Sequence, residues 1–479
     1  AASEDIASIG PRLRRDLAFE TGGAPDADQL RAAAEGFEKI FKAMKTTYAG
    51  INAAATFAMS GDLSRAKGIA GKVGAGAAAA LDDIDDDEPS YWSRATLAEC
   101  RLIEGDAAEA ANGFAAASDA VDAAPGKIAT TRKQLRRLKA ALGFDDGWID
   151  QSLPQGKVLY FCGPLTAAGG ANPAALEALN ARASEFFERH QCIAAFGALA
   201  AGADILIAEA ALKAGAPLHV HLPLAPAEFL AASVAPSGGD WRERYIACLD
   251  QAQTIEWVRR IRPSRAAYRL GARIAMGRAL RLTAELTATP IGFIALQSGR
   301  TAANSVSVES SEIWKSLGHH CIITQGDWQV MAGGAADAGQ SIFAAVVVDG
   351  GDAAAIESSA ATAPLFRFSQ GTLAVLAYET PRAALETAMA MARSPAGAAC
   401  RLWLDVGVGA RDEKKSAEFA QTLLTASCRP QTAAGKIHAS ENFVYAATAY
   451  PDAMPAFGYA GFVPTEEKLD PCPMFLVDH

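Results

Sequence analysis

Residues 196 to 223, FGALAAGADILIAEAALKAGAPLHVHLP, run through one complete strand-to-helix-to-strand transition. An apolar run closes on Gly197 and the turn Ala201-Gly202-Ala203-Asp204 follows. Ile205 to Lys213 then reads as a helix capped by Gly215, and Leu218 to Leu222 as a new strand ending at Pro223. Strands joined through a helix in this way lie parallel in one sheet. Asp204 stands where a carboxylate accepts hydrogen bonds from the free amides of a first helical turn, and Gly202 lets the backbone come close to whatever sits above. Two readings are open at this point. One is an ordinary capped helix; the other is a small-residue turn that presents helix-end amides and the positive end of the helix dipole to a phosphorylated ligand.

Working outward, 479 residues are too many for one core, and the length suggests about three domains. Half of the residues are hydrophobic and a fifth are charged, as expected of a globular chain. A net charge of -10 argues against nucleic acid or an anionic membrane as the main partner. No apolar run reaches the roughly 20 residues that span a bilayer, and AASEDIASIG does not read as a signal peptide, so the expectation is a cytoplasmic protein. The eight cysteines are scattered without a C-x-x-C pair, which makes a zinc site or disulfide framework a poor expectation. His219 and His221 alternate on a strand without a carboxylate at ligand spacing, which suggests a structural role.

The pattern Ala200-x-Gly202-Ala203-Asp204-Ile205-Leu206-x-Ala208-Glu209, continuing to Gly215 and a strand, resembles the SLOG superfamily, Rossmann-like domains that bind nucleotides or nucleotide-derived ligands. The resemblance implies an α/β parallel-sheet domain over residues 155 to 330, with Gly202, Asp204 and Glu209 at its nucleotide site. Lys157 to Cys162 is its first strand, and in relatives the following loop touches ligand, which implicates Gly163 and Thr166. After the strand Pro290 to Leu296 comes Gln297-Ser298-Gly299-Arg300, and the phosphate loop that follows in SLOG enzymes makes Gly299, Arg300 and Ser307 further candidates. Glu309 or Glu312 falls near the family's catalytic glutamate. Where the family has a glycine, this chain has Val306, whose branched side chain crowds a phosphate and speaks against N-glycosidic cleavage. Between these segments, helix Arg265 to Leu286 is dense in arginine. Arg269 and Arg273 share a face, as do Arg278 and Arg281, facing either a phosphate or water.

Residues 1 to 150 are alanine-rich and helical. YAGINAAATFAMSGDLSRAKGIAGKV (48 to 73) and YWSRATLAECRLIEGDAAEAANGFAAA (91 to 117) echo each other, each a pair of helices broken at Gly61-Asp62 or Gly105-Asp106. The unit resembles tetratricopeptide repeats and the helical region of the TRAFs-binding family, implying a surface for a protein partner; a helical cap on the next domain is the other reading. Residues 338 to 479 mix strands and helices in an order that implies an α+β ferredoxin-like sheet and resembles the class III nucleotidyl cyclase domain. Asp349 fits the first metal-binding aspartate of such cyclases. Gln370 stands in the Ser369-Gln370-Gly371 hairpin where the second is expected, and Ser416 to Leu424 lacks the asparagine and arginine that steady the transition state. A pseudo-cyclase follows from the resemblance, serving as a homodimerisation or regulatory module, with magnesium only if it is active. The combined expectation is a signalling protein that senses a nucleotide. Its rivals are an active nucleotidyl cyclase or nucleotide N-glycosidase, and a structural subunit of a larger assembly.

Overall fold

The computed structural model describes residues 3 to 477 except 21–23, 83–90, 167–171, 260, 299–304, 329–338, 351–361, 396, 411–419, 421–433, 452–456 and 464–471. The chain divides into two compact units, Ala1–Gly156 with Glu285–Ala288, and Lys157–Ala284 with Thr289–His479. The sheets of the second and third expected segments therefore fall in one unit.

The first unit is helical: α1 (Glu4–Leu17), α2 (Ala27–Met44), α3 (Thr47–Met59), α4 (Leu63–Asp82), α5 (Tyr91–Glu104), α6 (Ala107–Ser118), α7 (Pro125–Leu142) and α8 (Asp146–Ser152). Each helix from α1 to α5 packs on the next, and α6 packs on α8. The two echoing phrases end their first helix in the same way. Gly61 and Gly105 take positive φ values of 90° and 108°, and the aspartate after each caps the next helix, Asp62 accepting from the Arg65 amide and Asp106 from the Glu109 amide, both at 3.0 Å. Alanines let the helices approach closely: Ala53, Ala54, Ala58, Ala66 and Ala70 are buried around Phe37 and Phe57.

Arg132 is the polar centre of this unit. Its side chain is 4% exposed, and its guanidinium donates to the Leu153 carbonyl, to Asp150, and through Nε to Thr287 Oγ1 at 3.0 Å. Thr287 itself has φ 53°, a left-handed backbone that a β-branched residue adopts only when its surroundings impose it.

The second unit contains two sheets. In the first, six parallel strands lie in the order β4-β3-β2-β1-β5-β6, formed by β1 (Lys157–Cys162), β2 (Cys192–Gly197), β3 (Leu218–Leu222), β4 (Thr254–Trp257), β5 (Thr289–Gln297) and β6 (His320–Gly326). Helices α9 (Pro173–Arg189), α10 (Ala203–Lys213), α11 (Pro226–Ser233) and α12 (Trp241–Gln251) connect β1 to β4, while α13 (Arg265–Leu286) and α14 (Val306–Ser316) serve β5 and β6. The order reverses direction between β1 and β5. Cores of Leu159, Phe161, Ile205, Ile207, Val220 and Phe293 hold α10 on the sheet.

The second sheet is mixed, in the order β12-β13-β11-β10-β7-β9-β8. Its strands are β7 (Gln340–Asp349), β8 (Phe366–Gln370), β9 (Leu373–Tyr378), β10 (Arg401–Ala410), β11 (Ile437–Ser440), β12 (Phe457–Val463) and β13 (Cys472–Val477), with helices α15 (Pro381–Arg393) and α16 (Glu441–Thr448). Counted from β7, its first four strands lie fourth, first, third, second, all antiparallel. The helix expected over Lys414 to Ser427 lies, save Ala420, outside the described residues. Helix α13 belongs to both cores: Ala267 packs with the parallel sheet, and Leu270 and Ile274 pack with Val346, Leu385 and Phe443 of the mixed one. Among the described residues no helix is long and apolar enough to cross a membrane.

Replacing Arg132 by Met keeps the apolar stem but removes every donor, leaving the Leu153 carbonyl, the Asp150 carboxylate and the Thr287 hydroxyl without this partner. The expected cost is about 1–3 kcal/mol of unfolding free energy. A melting curve of the full chain superimposable on the parent's would remove Arg132 from its central place.

Candidate functional site

Open parallel sheets bind ligands where strand order reverses, outside the carboxyl ends of the strands. Here that place is the end of β1 and β5, and the loop Gly163 to Thr166 leaves β1 toward it. The opening turn of α10 lies alongside, and its packing is specific.

Asp204 does not cap α10. The helix begins at Ala203, two residues earlier than the sequence pattern suggests, and Asp204 is buried in its first turn with its carboxyl accepting from the Gly163 and Ala200 amides instead of the helix's own. Oδ1 accepts from the Gly163 amide at 2.7 Å and Oδ2 from the Ala200 amide at 3.2 Å, so one side chain ties the chain leaving β1 to the chain leaving β2. The expected cap is thus replaced by a cross-strand brace. Burial raises the carboxyl to about 7, against the pull of the two amides.

Gly202 has φ 106° and ψ -119°, a conformation open to glycine alone. What sits above it is Thr166: a Cβ at position 202 would lie 2.5 Å from Thr166 Cγ2. Leu165 and Gly202 form an isolated antiparallel bridge, and the Thr166 amide and hydroxyl both donate to the Ala201 carbonyl, at 3.2 and 3.1 Å. Thr166 is fully buried and exchanges hydrogen bonds with Ser237, whose hydroxyl donates to the Thr166 carbonyl at 2.9 Å. Gly163 is equally confined, since a Cβ there would meet Ala203 Cβ at 2.2 Å. Gly163, Thr166, Gly202 and Asp204 are therefore brought together, as one interlocked elbow.

The other candidates lie apart from it. Glu209 sits farther along α10 in a bidentate pair with Arg244 of α12, at 2.8 and 2.5 Å. Ser307 is buried in the first turn of α14, next to Ser310, whose hydroxyl receives the Tyr160 hydroxyl at 3.1 Å, while Trp314 stacks on Tyr160. These contacts hold the start of α14 over β1 and β5. Its N-cap residue, Ser305, makes no capping hydrogen bond with its side chain. Gly299 and Arg300 lie outside the described residues.

The arginines of α13 are engaged within the protein. Arg269 and Arg273 both pair with Glu309 of α14, at 2.5 and 2.8 Å, and Arg273 also reaches the Tyr450 hydroxyl beyond the end of α16. Arg278 pairs with Glu256 and lies over the rings of Phe196 and Tyr445. Arg281 lies over Phe475. The family resemblance set Glu309 or Glu312 near a catalytic glutamate, and the sequence reading did not foresee this clamp; the i, i+4 spacing of Arg269 and Arg273 was its visible trace. Glu312 has no such partner among the described residues. His219 stacks on Phe196 with Nδ1 3.0 Å from Thr254 Oγ1, and His221 is fully enclosed. Desolvation lowers these imidazoles to about 4 and about 3.

In the mixed sheet, Asp349 ends β7 beside the β8–β9 hairpin turn. Thr372 donates to its Oδ1 at 3.1 Å and Arg401 lies 3.4 Å from Oδ2. Among the described residues no group of three histidine, cysteine or acidic side chains is placed to hold a metal ion. Cys162, at the end of β1, is raised by burial to about 12, which keeps it a thiol.

A pH dependence follows from these groups. Asp204, raised from 3.8 to about 7, contributes stability that is complete below 3.8 and is lost as pH rises through about 7. His219 and His221 act oppositely, contributing stability present above 6.5 and lost as pH falls through about 4 and about 3. In denaturant titrations, Asp204→Asn should therefore flatten the fall in stability that the parent shows toward pH 7. Parallel stability curves for parent and variant would locate the proton elsewhere.

No family model matches the chain, and no curated protein matches it. Among solved structures, an O-GlcNAc transferase mutant from Thermobaculum terrenum aligns at 9% identity with a TM-score of 0.20, over 69% of this chain and 59% of that one. The chain thus spans less than two thirds of that protein's length.

Proposed function

We propose that the parallel-sheet part of the second unit binds a nucleotide or a nucleotide-derived anion, as a sensor rather than as an enzyme. The observation that carries the reading is the reversal of strand order between β1 and β5, with the first turn of α14 held above it and not capped by its own Ser305. The anion would lie against α14 and not against α10, because Thr166 fills the space over Gly202. The SLOG-like pattern around Gly202 supports the same class of ligand; in this reading its residues brace the loop from below. The helical unit would hold a protein partner on its repeats.

The mixed sheet fits the same proposal as a degenerate cyclase-like module. Its fourth, first, third, second strand order and the position of Asp349 beside a hairpin turn support the likeness. Asp349 is engaged by Arg401 and Thr372, and Gln370 brings no second charge, so among the described residues no second carboxylate stands beside Asp349 for a two-metal transfer of a nucleotidyl group.

Calorimetric titration of the full chain with ATP, GTP, NAD, ADP-ribose and cyclic nucleotides is the test. Binding by at least one is expected, and Ser305→Asp should weaken it about tenfold or more, since the new carboxylate caps the helix while repelling the anion. Silence across the panel, or affinity indifferent to Ser305→Asp, would defeat the reading.

A further inference from the structure

Helix α1 has one face sealed and the opposite face bare. Ser8 is buried, Pro11 and Arg15 are partly covered, and the Arg15 guanidinium donates to Asn52 Oδ1 at 2.7 Å, so this side is fastened to the helical unit. On the other side Ile6, Ile9, Leu13 and Leu17 are 62%, 51%, 58% and 55% exposed. Their spacing of three, four and four residues is that of a helix-pairing seam. Isolated apolar residues on a surface are ordinary, but four in register along one short helix form a continuous stripe.

Gly10 lies on the same bare face, and a Cβ there would touch nothing within 4 Å. A glycine inside an exposed helix costs roughly 1 kcal/mol relative to alanine and gains nothing from this chain's own packing. It does let a second helix come close.

Charge selects the occupant. Asp5 and Arg12, seven residues apart, lie on one flank of the stripe, and both are exposed without an ion pair among the described residues. The opposite flank carries Ser3 and Arg14 and no acid. When two copies of a helix pair antiparallel, like flanks meet, so Asp5 of one copy faces Arg12 of the other twice over; a parallel pair would set Asp5 against no such match. The helix carries three acidic and three basic residues, Glu4, Asp5 and Asp16 against Arg12, Arg14 and Arg15, which is not the basic face of a membrane-surface helix.

We infer that the α1 face is a self-association surface: two copies of the chain pair α1 to α1, antiparallel about a two-fold axis near Ile9 and Gly10, with Ile6 against the partner's Leu13. This is independent of nucleotide binding and of any contact through the mixed sheet. One helix pair is a small interface, below the roughly 1,000 Å² of a stable complex, so the association is weak and concentration-dependent.

Sedimentation equilibrium of the full chain over a hundredfold concentration range should show a monomer–dimer equilibrium. Leu13→Asp, a change at a position 58% exposed in the single chain, should weaken it at least about tenfold while shifting the melting temperature of the dilute monomer little. Asp5→Arg and Arg12→Asp should each weaken it, and the two combined should restore it to within about threefold of the parent. A chain monomeric throughout overturns the inference, as does a dimer indifferent to Leu13→Asp, which would point to another face. A monomer that sediments with anionic vesicles through Leu13 would overturn it in favour of a lipid surface.

Discussion

Two backbone amides, each just past the end of a central strand, converge on the carboxyl of Asp204. An amide buried without a partner costs on the order of a hydrogen bond's full desolvation, so the two strand ends stay where this one side chain can serve both. The residues around it follow from that demand. Gly163 and Ala203 are small because the chain leaving β1 crosses directly over the start of α10, and Gly202 takes a backbone closed to other residues so that Thr166 can seat above it. The elbow is thereby a fixed floor of small, mutually seated residues beside the strand reversal.

The arginines of α13 extend the same logic across the second unit. A helix rich in positive charge is sandwiched between two sheets, which is tolerable only if each guanidinium meets a carboxylate or an aromatic face. Glu309 takes two of them, Glu256 takes Arg278, and the rings of Phe196, Tyr445, Tyr450 and Phe475 take the remaining exposure. Helix α13 is thus a shared wall: its small residues press on one core and its larger ones on the other, and Gly277 lets it touch the Tyr445 backbone, where a Cβ would come within 1.8 Å.

Much of the fold was legible in the chain because period and punctuation are local signals. The strand-helix-strand run from Phe196, the hairpin at Gly371 and the Gly-Asp turns of the helical unit all appear where their residues predict. The elbow was legible only in composition. That Asp204 would brace two loops instead of capping its own helix depends on Gly163, forty-one residues earlier, and no spacing rule reaches that far. The same holds for Glu309: an acid in the first turn of a helix reads as dipole compensation or catalysis until the two arginines from α13 arrive. Thr166 was a candidate ligand contact through the family resemblance, and no spacing rule foretold that its methyl group fills the space that Gly202 leaves.

The left-handed Thr287 bears on how the chain can be divided. It directly follows the last residue of α13, well inside the sequence of the sheet-bearing part, yet its hydroxyl completes the shell around Arg132. A fragment stopped after Gly156 would carry the guanidinium without that last acceptor, and swapping the sheets for unrelated ones would remove it as well. Any shuffling of these modules, in the laboratory or by recombination, has to carry a four-residue insert from downstream along with the helices.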